Sequence, residues 1–93
     1  MILEEIKGKA VPILRRARIK RAGVFGSVAR GDENVESDVD FLYEAESPFG
    51  LFKLAELRDE LEMALGREVD LVSYNYIHPR LRERILKDVI EIL

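Results

Sequence analysis

The 93 residues of this chain are enough for one domain with one modest hydrophobic core, and we expect residues 1–93 to form a single domain. Of these residues 47% are apolar and 35% are charged, a balance that excludes a disordered segment. The net charge of −3 argues against a general nucleic-acid-binding protein, and the lack of cysteine excludes disulfides and thiolate metal sites. The N-terminus lacks the pattern of a signal peptide and no apolar run approaches the roughly 20 residues that cross a bilayer, so we expect a cytoplasmic protein without membrane contact.

The first half of the chain predicts helices alternating with strands. In order, these are a helix over 2–17, a strand over Ile19–Phe25, a helical turn over Ser27–Arg30, a polar loop over 32–37 and a strand over 38–44. Pro12 lies inside the first helical pattern, where it should kink or divide the helix. Gly31 is a natural end for the short turn.

The second half continues the alternation. Ser47 and Pro48 predict a helix start, with serine as cap and proline at the first position. The apolar residues of one face of that helix are Leu51, Leu54, Ala55, Leu61 and Leu65, and Gly66 ends it. A strand over 67–73 and a helix from Pro79 follow. For residues 89–93 a short strand is favoured, with continued helix as the alternative. The alternation predicts an α+β (α/β layered) fold with helices packed on one sheet.

Asp38 and Asp40 form the first candidate for chemistry. Residues two apart on a strand point to the same face, so these carboxylates lie side by side and repel each other. A divalent cation such as Mg²⁺ would relieve the repulsion while leaving room for water and phosphate ligands. The alternative is that the two acids belong to the polar face of an edge strand. Leu42 follows on the same face and is apolar, which counts against that alternative. We therefore favour a metal site.

Gly26 and Ser27 form a second candidate at the end of the first strand. A glycine lets the main chain approach a phosphate closely, and the helical turn that follows offers free N–H groups. The alternative is a strand-to-helix turn with Ser27 as its cap. Arg30 ends the turn, where it either contacts a phosphate or forms a local ion pair.

Taken together, Gly26-Ser27, ten intervening residues and Asp38-Val39-Asp40 resemble the nucleotidyltransferase motif of the DNA polymerase beta superfamily. The flanking residues resemble its minimal nucleotidyltransferase branch, small proteins commonly paired with a HEPN-domain ribonuclease toxin. These residues are Phe25-Gly26-Ser27-x-x-Arg30-Gly31 and Ser37-Asp38-x-Asp40-Phe41-Leu42. The resemblance covers essentially the whole chain and implies the polymerase-beta-like nucleotidyltransferase fold, a small mixed β-sheet with helices packed on it.

The resemblance also implies the chemistry. Asp70 is similar to the family's third carboxylate, so that Asp38, Asp40 and Asp70 would be catalytic residues holding two Mg²⁺ or Mn²⁺ ions. Gly26, Ser27 and Arg30 would hold the phosphates of the substrate ATP. The implied reaction transfers AMP to a protein hydroxyl, a tyrosine of a HEPN toxin, within a hetero-oligomeric toxin–antitoxin pair.

Two other functions stay open at this point. One is a non-catalytic antitoxin that neutralises its toxin by binding, with a vestigial site. The other is a small-molecule nucleotidyltransferase completed by oligomerisation. The residues leave open the preferred base, the acceptor hydroxyl, the oligomeric state and whether the site is active.

Overall fold

The computed structural model describes residues 2–31 and 38–93, so the predicted polar loop over 32–37 lies outside the described residues. The elements are, in chain order, α1 (Leu3–Arg16), β1 (Ile19–Phe25), α2 (Ser27–Arg30), β2 (Val39–Ala45), α3 (Leu51–Leu65), β3 (Val69–Ser73), a 3₁₀ turn (Tyr74–Tyr76), α4 (Pro79–Asp88) and β4 (Ile90–Glu91). The predicted α+β fold is confirmed.

The strands form one mixed sheet in the order β3-β2-β1-β4. Strand β1 pairs antiparallel with both β2 and β4, whereas β2 and β3 are parallel. A parallel pair needs a crossover connection, and the 15-residue helix α3 provides it. Strand β4 also confirms the favoured reading of the C-terminal residues as a short strand.

One face of the sheet carries the main core. In α1 the buried residues Ile6, Ala10, Ile13 and Leu14 follow helical spacing and form one apolar stripe. This stripe and α3 cover the alternate strand residues that point to the same side, among them Val24, Val39 and Phe41.

The opposite face is covered less completely. Leu42, Tyr74 and Ile77 form a smaller buried cluster there, with Phe25 and side chains from the α4 region packed on it. Asp40 points to this second face, because it lies two residues from Leu42 on β2. The fold therefore buries one side of the sheet deeply and leaves Asp40 only half-buried on the other.

Of the two effects expected of Pro12, division of the helix is wrong. Helix α1 runs unbroken from Leu3 to Arg16, because Ala10 and Ile13 are buried on either side of the proline and their packing outweighs one missing backbone donor. Helix α3 does not begin at Ser47-Pro48. Its N-cap is Gly50, since the Phe49 ring packs against Tyr43 (centroids 6.0 Å apart) and holds the preceding segment outside the helix.

The predicted buried face of α3 is also partly wrong. Leu61 and Leu65 are buried as expected, but the third buried residue is Leu57, and Leu51 is 82% exposed. Among the helices of residues 2–31 and 38–93, none is both long and apolar enough to cross a membrane.

Candidate active site

Asp40 and Asp70 are brought together by the parallel pairing of β2 and β3. They stand directly opposite each other in the register, on strands that lie about 4.8 Å apart. Asp38 comes immediately before β2 and is exposed to solvent. The strand register thus joins two acids that are 30 positions apart in the chain, and the third lies beside them.

Asp40 is the electrostatic centre of this group. The pKa of its carboxyl is raised from 3.8 to about 6: burial contributes most of the rise, the negative charges of Asp70 and Asp38 add to it, and the Arg30 guanidinium opposes it. Asp38, Asp70 and Arg30 are therefore all within electrostatic reach of Asp40. Holding Asp40 ionised at neutral pH has a free-energy cost that a cation would offset.

Gly26 joins the phosphate end of the motif to the acidic end. The register of β1 and β2 sets Phe25 opposite Asp40, so the next residue, Gly26, lies against the Asp40 carboxylate. A Cβ at Gly26 would overlap Oδ2 of Asp40, and the backbone there (φ 76°, ψ −152°) is essentially restricted to glycine. Both steric and backbone constraints require glycine at this position.

The turn after Gly26 differs in detail from the prediction. Gly26 is the N-cap of α2 and Ser27 is its first residue, and no side chain caps the turn. The alternative role of Ser27 as a structural cap is therefore wrong. The turn closes through the Arg30 N–H donating to the Gly26 carbonyl (3.1 Å), so the amides of residues 27–29 have no partner inside the helix. Gly31 ends the turn in the left-handed conformation, as expected.

Arg30 forms the local ion pair that was one of its two expected roles. Its Nη1 donates to Oδ2 of Asp88, the last residue of α4, at 2.9 Å. Both residues line a cleft between α2 and α4, together with Phe25, Gly26, Leu81, Arg84 and Ile85. The sequence prediction did not include Asp88, which is 58 residues away.

A second cleft lies on the other side of the acids. It has a volume of about 230 Å³ and is lined by Asp70, Leu71 and residues of the first half of α3, namely Leu51, Leu54, Ala55 and Arg58. Leu51 and its neighbour Phe52 are 82% and 92% exposed. Leu51, which was predicted on the apolar face of α3, therefore lies at the surface beside Asp70.

The acids fit a hard divalent cation by their chemistry. Asp40 and Asp70 present carboxylate oxygens from adjacent strands, and repulsion at Asp40 favours a positive charge there. Across residues 2–31 and 38–93, no three carboxylate or imidazole groups are close enough to form a metal-binding group by themselves. Mg²⁺ commonly completes its shell with waters and substrate phosphates. The metal roles of Asp38, Asp40 and Asp70 stay predictions.

Comparison with known proteins decides the family. The family model described as a nucleotidyltransferase domain matches residues 7–92. This chain belongs to the nucleotidyltransferase family. As predicted, it is of the minimal type, and it is an enzyme of the nucleotidyltransferase class.

Relatives of this minimal nucleotidyltransferase match along its whole length. A Methanocaldococcus jannaschii protein, provisionally named a protein adenylyltransferase, is 45% identical over 93 residues and covers 100% of both chains. The Thermococcus cleftensis protein adenylyltransferase MntA is 34% identical and covers 97% of this chain and 95% of its own.

Solved structures match the fold of the minimal nucleotidyltransferase equally well. One, provisionally described as a minimal nucleotidyltransferase, is 39% identical with a TM-score of 0.81 and covers 97% of this chain and 95% of that one. A toxin–antitoxin structure with AMP-PNP has a TM-score of 0.82 at 24% identity, and the match covers 94% of this chain and 72% of that one. A complex of tri-AMPylated Shewanella oneidensis HEPN toxin with MNT antitoxin has a TM-score of 0.75 at 21% identity, and the match covers 97% of this chain and 71% of that one. The last two support the fold alone.

Proposed function

We propose that this minimal nucleotidyltransferase transfers AMP from ATP to a protein hydroxyl, a tyrosine of a HEPN-domain toxin, and thereby acts as an antitoxin. The observation that carries the proposal is the full-length likeness to proteins named for adenylyl transfer to proteins. The register of Asp40 with Asp70 supports it, because metal-assisted AMP transfer needs carboxylates close together at one point.

The nucleotide end of the site is built from residues 26–30. The absence of a side chain at Gly26 lets the Asp40 carboxylate lie against the turn, and the amides that follow Gly26 are suited to bind a phosphate beside that carboxylate. Ser27 would add its hydroxyl, and the Arg30 guanidinium would add positive charge. These residues would align the triphosphate and stabilise the negative charge that develops on it.

At the acidic end, Asp38, Asp40 and Asp70 would hold two Mg²⁺ ions. When bound, the ions supply neutralisation of the triphosphate and a lower pKa for the acceptor hydroxyl. Asp70 would take the proton of that hydroxyl. The acceptor oxygen bonds to the α-phosphorus as the bond to the pyrophosphate oxygen breaks, so AMP is transferred and pyrophosphate leaves.

The acceptor would approach from the side of α3. The cleft beside Asp70 and the exposed Leu51 and Phe52 form an apolar surface that suits another protein. Solved neighbours of the same fold include a complex of an MNT antitoxin with a tri-AMPylated HEPN toxin. A toxin that brings its own tyrosine to this surface would complete the site.

The proposal is tested by mixing the protein, at one-tenth of the toxin concentration, with ATP, Mg²⁺ and the HEPN-domain protein encoded nearest its gene. We expect the toxin's mass to rise by one AMP unit per modified hydroxyl. The variant Asp38→Asn with Asp40→Asn should bind the toxin but fail to modify it or to protect cells. Asp59→Asn, which makes the same kind of substitution and removes one negative charge from an exposed position of α3, is the control.

Three outcomes separate the candidate functions. AMP transfer to the toxin supports the proposal. Toxin binding at constant mass, with the double variant still protecting cells, identifies a non-catalytic antitoxin. Failure to bind or modify the toxin leaves a small-molecule nucleotidyltransferase as the better interpretation.

A further inference from the structure

The ion pair of Arg30 with Asp88 joins two elements that are distant in the chain. It connects α2, which follows the glycine of the candidate phosphate site, with the end of α4. Asp88 is the more buried partner, with its side chain 22% exposed against 43% for Arg30. Because Asp88 is partly buried, the pair loses less to solvent screening than a fully exposed one.

The position of Asp88 is unfavourable for the electrostatics of its own helix. The C-terminal end of a helix carries a partial negative charge, so a carboxylate on the last residue of α4 is disfavoured there. The contact with Arg30 supplies an opposite charge at 2.9 Å. Tertiary structure, rather than helix formation, therefore explains an acid at this position.

Both partners are anchored to the same strand. β1 leads directly into Gly26 and α2, and it also pairs with β4, which follows Asp88 by one residue. The junction of α4 and β4 packs tightly on β1, because a Cβ at Gly23 would lie 2.6 Å from Cγ2 of Val89. Asp88 therefore has a fixed place relative to the Gly26 turn.

We propose that Asp88 is a positioning residue that holds the Arg30 guanidinium in the cleft beside Gly26, oriented to bind the phosphates of the nucleotide. The guanidinium is a rigid fork with five donors, so fixing Nη1 on Asp88 sets the direction of the other donors. A guanidinium that is already ordered loses less side-chain entropy when the phosphates bind. The inference rests on the proposed function for the phosphate-binding role of Arg30.

A double-mutant cycle tests the proposal. Binding of α,β-methylene-ATP, which cannot transfer AMP, is titrated calorimetrically with Mg²⁺ into wild type, Asp88→Asn, Arg30→Gln and the double variant. We expect Asp88→Asn to raise Kd about five- to tenfold in the wild-type background and less than about twofold in the Arg30→Gln background. Asp88→Glu, which keeps the charge, should recover most of the affinity.

The matched control is Glu91→Gln. It breaks the ion pair between Glu91 of β4 and Arg21 of β1 (2.8 Å). The Kd for the nucleotide should stay within about twofold of wild type. An equal loss from Asp88→Asn in both backgrounds would mean that the residue acts through the fold and would overturn the proposal. Tighter binding by Asp88→Asn would also overturn it, since Asp88 would then compete with the phosphates.

A measurement on the nucleotide-free protein separates this inference from the proposed function. NMR signals of the Arg30 guanidinium should show more restricted rotation in wild type than in Asp88→Asn. If wild type binds no nucleotide, the proposed function fails, and the NMR comparison alone decides whether Asp88 orders Arg30. An unchanged Arg30 signal in Asp88→Asn would overturn the positioning role even if nucleotide binds.

Discussion

Replacing Asp40 by asparagine should stabilise the metal-free protein. Asparagine has nearly the same shape but no charge, so it removes the cost of holding an ionised carboxylate that is half-buried beside two other acids. The carboxyl pKa is raised from 3.8 to about 6. After allowance for solvent screening at a half-exposed group, this shift corresponds to about 1–2 kcal/mol in the free energy of unfolding.

The sign of the pH dependence follows from the raised pKa. The folded protein binds the Asp40 proton more tightly than the unfolded chain does, so stability is lost as the pH rises from about 4 to about 6. The advantage of Asp40→Asn over wild type should therefore be absent near pH 3.5 and complete above about pH 7. Asp59→Asn on the exposed surface of α3 should show no such gain.

Magnesium should largely cancel the stability advantage of Asp40→Asn at neutral pH, because the two contributions are of similar size. An ion present at ten times its Kd stabilises a binding-competent folded state by about 1.4 kcal/mol, and asparagine should remove most of this gain. In thermal melts, 1 kcal/mol corresponds to about 4–8 °C for a domain of this size.

The assay is a set of thermal melts of wild type, Asp40→Asn and Asp59→Asn between pH 3.5 and 8, with and without Mg²⁺. An equal metal-induced shift in wild type and Asp40→Asn would reject the metal site. A stability difference between them that does not change with pH would refute the electrostatic reasoning.

The remaining predictions concern the phosphate end of the site. Ser27→Ala should weaken binding of Mg²⁺ and ATP by about 1–3 kcal/mol, measured by calorimetric titration, if the hydroxyl contacts a phosphate. Its melting temperature should hardly change, because the Ser27 side chain caps no helix; a marked fall would show a structural role instead. Gly26→Ala should lower the free energy of unfolding by about 1–3 kcal/mol in urea, since alanine is strained at φ 76° and meets the Asp40 carboxylate. Gly8→Ala, in open space on α1, is the control that should not destabilise, and equal behaviour of the two would refute the steric argument.

Local signals were sufficient to predict most of the elements. The predicted bounds of β1 and α2 match the structure, and the glycines that end α2 and α3 were identified correctly. Predictions from local signals are wrong where tertiary packing favours a different local structure. The contact of Phe49 with Tyr43 outweighs the capping signal at Ser47, and burial of Ala10 and Ile13 keeps helix α1 undivided at Pro12.

The sequence by itself determined the family and its motif residues, because Gly26-Ser27 and Asp38-x-Asp40 are close in the chain and their spacing is set by one strand–turn–strand unit. Contacts between distant segments depend on strand register and helix docking, which no local pattern encodes. Only the tertiary structure set Asp70 opposite Asp40, brought Asp88 to Arg30, and moved Leu51 from the expected core to the surface beside the third acid.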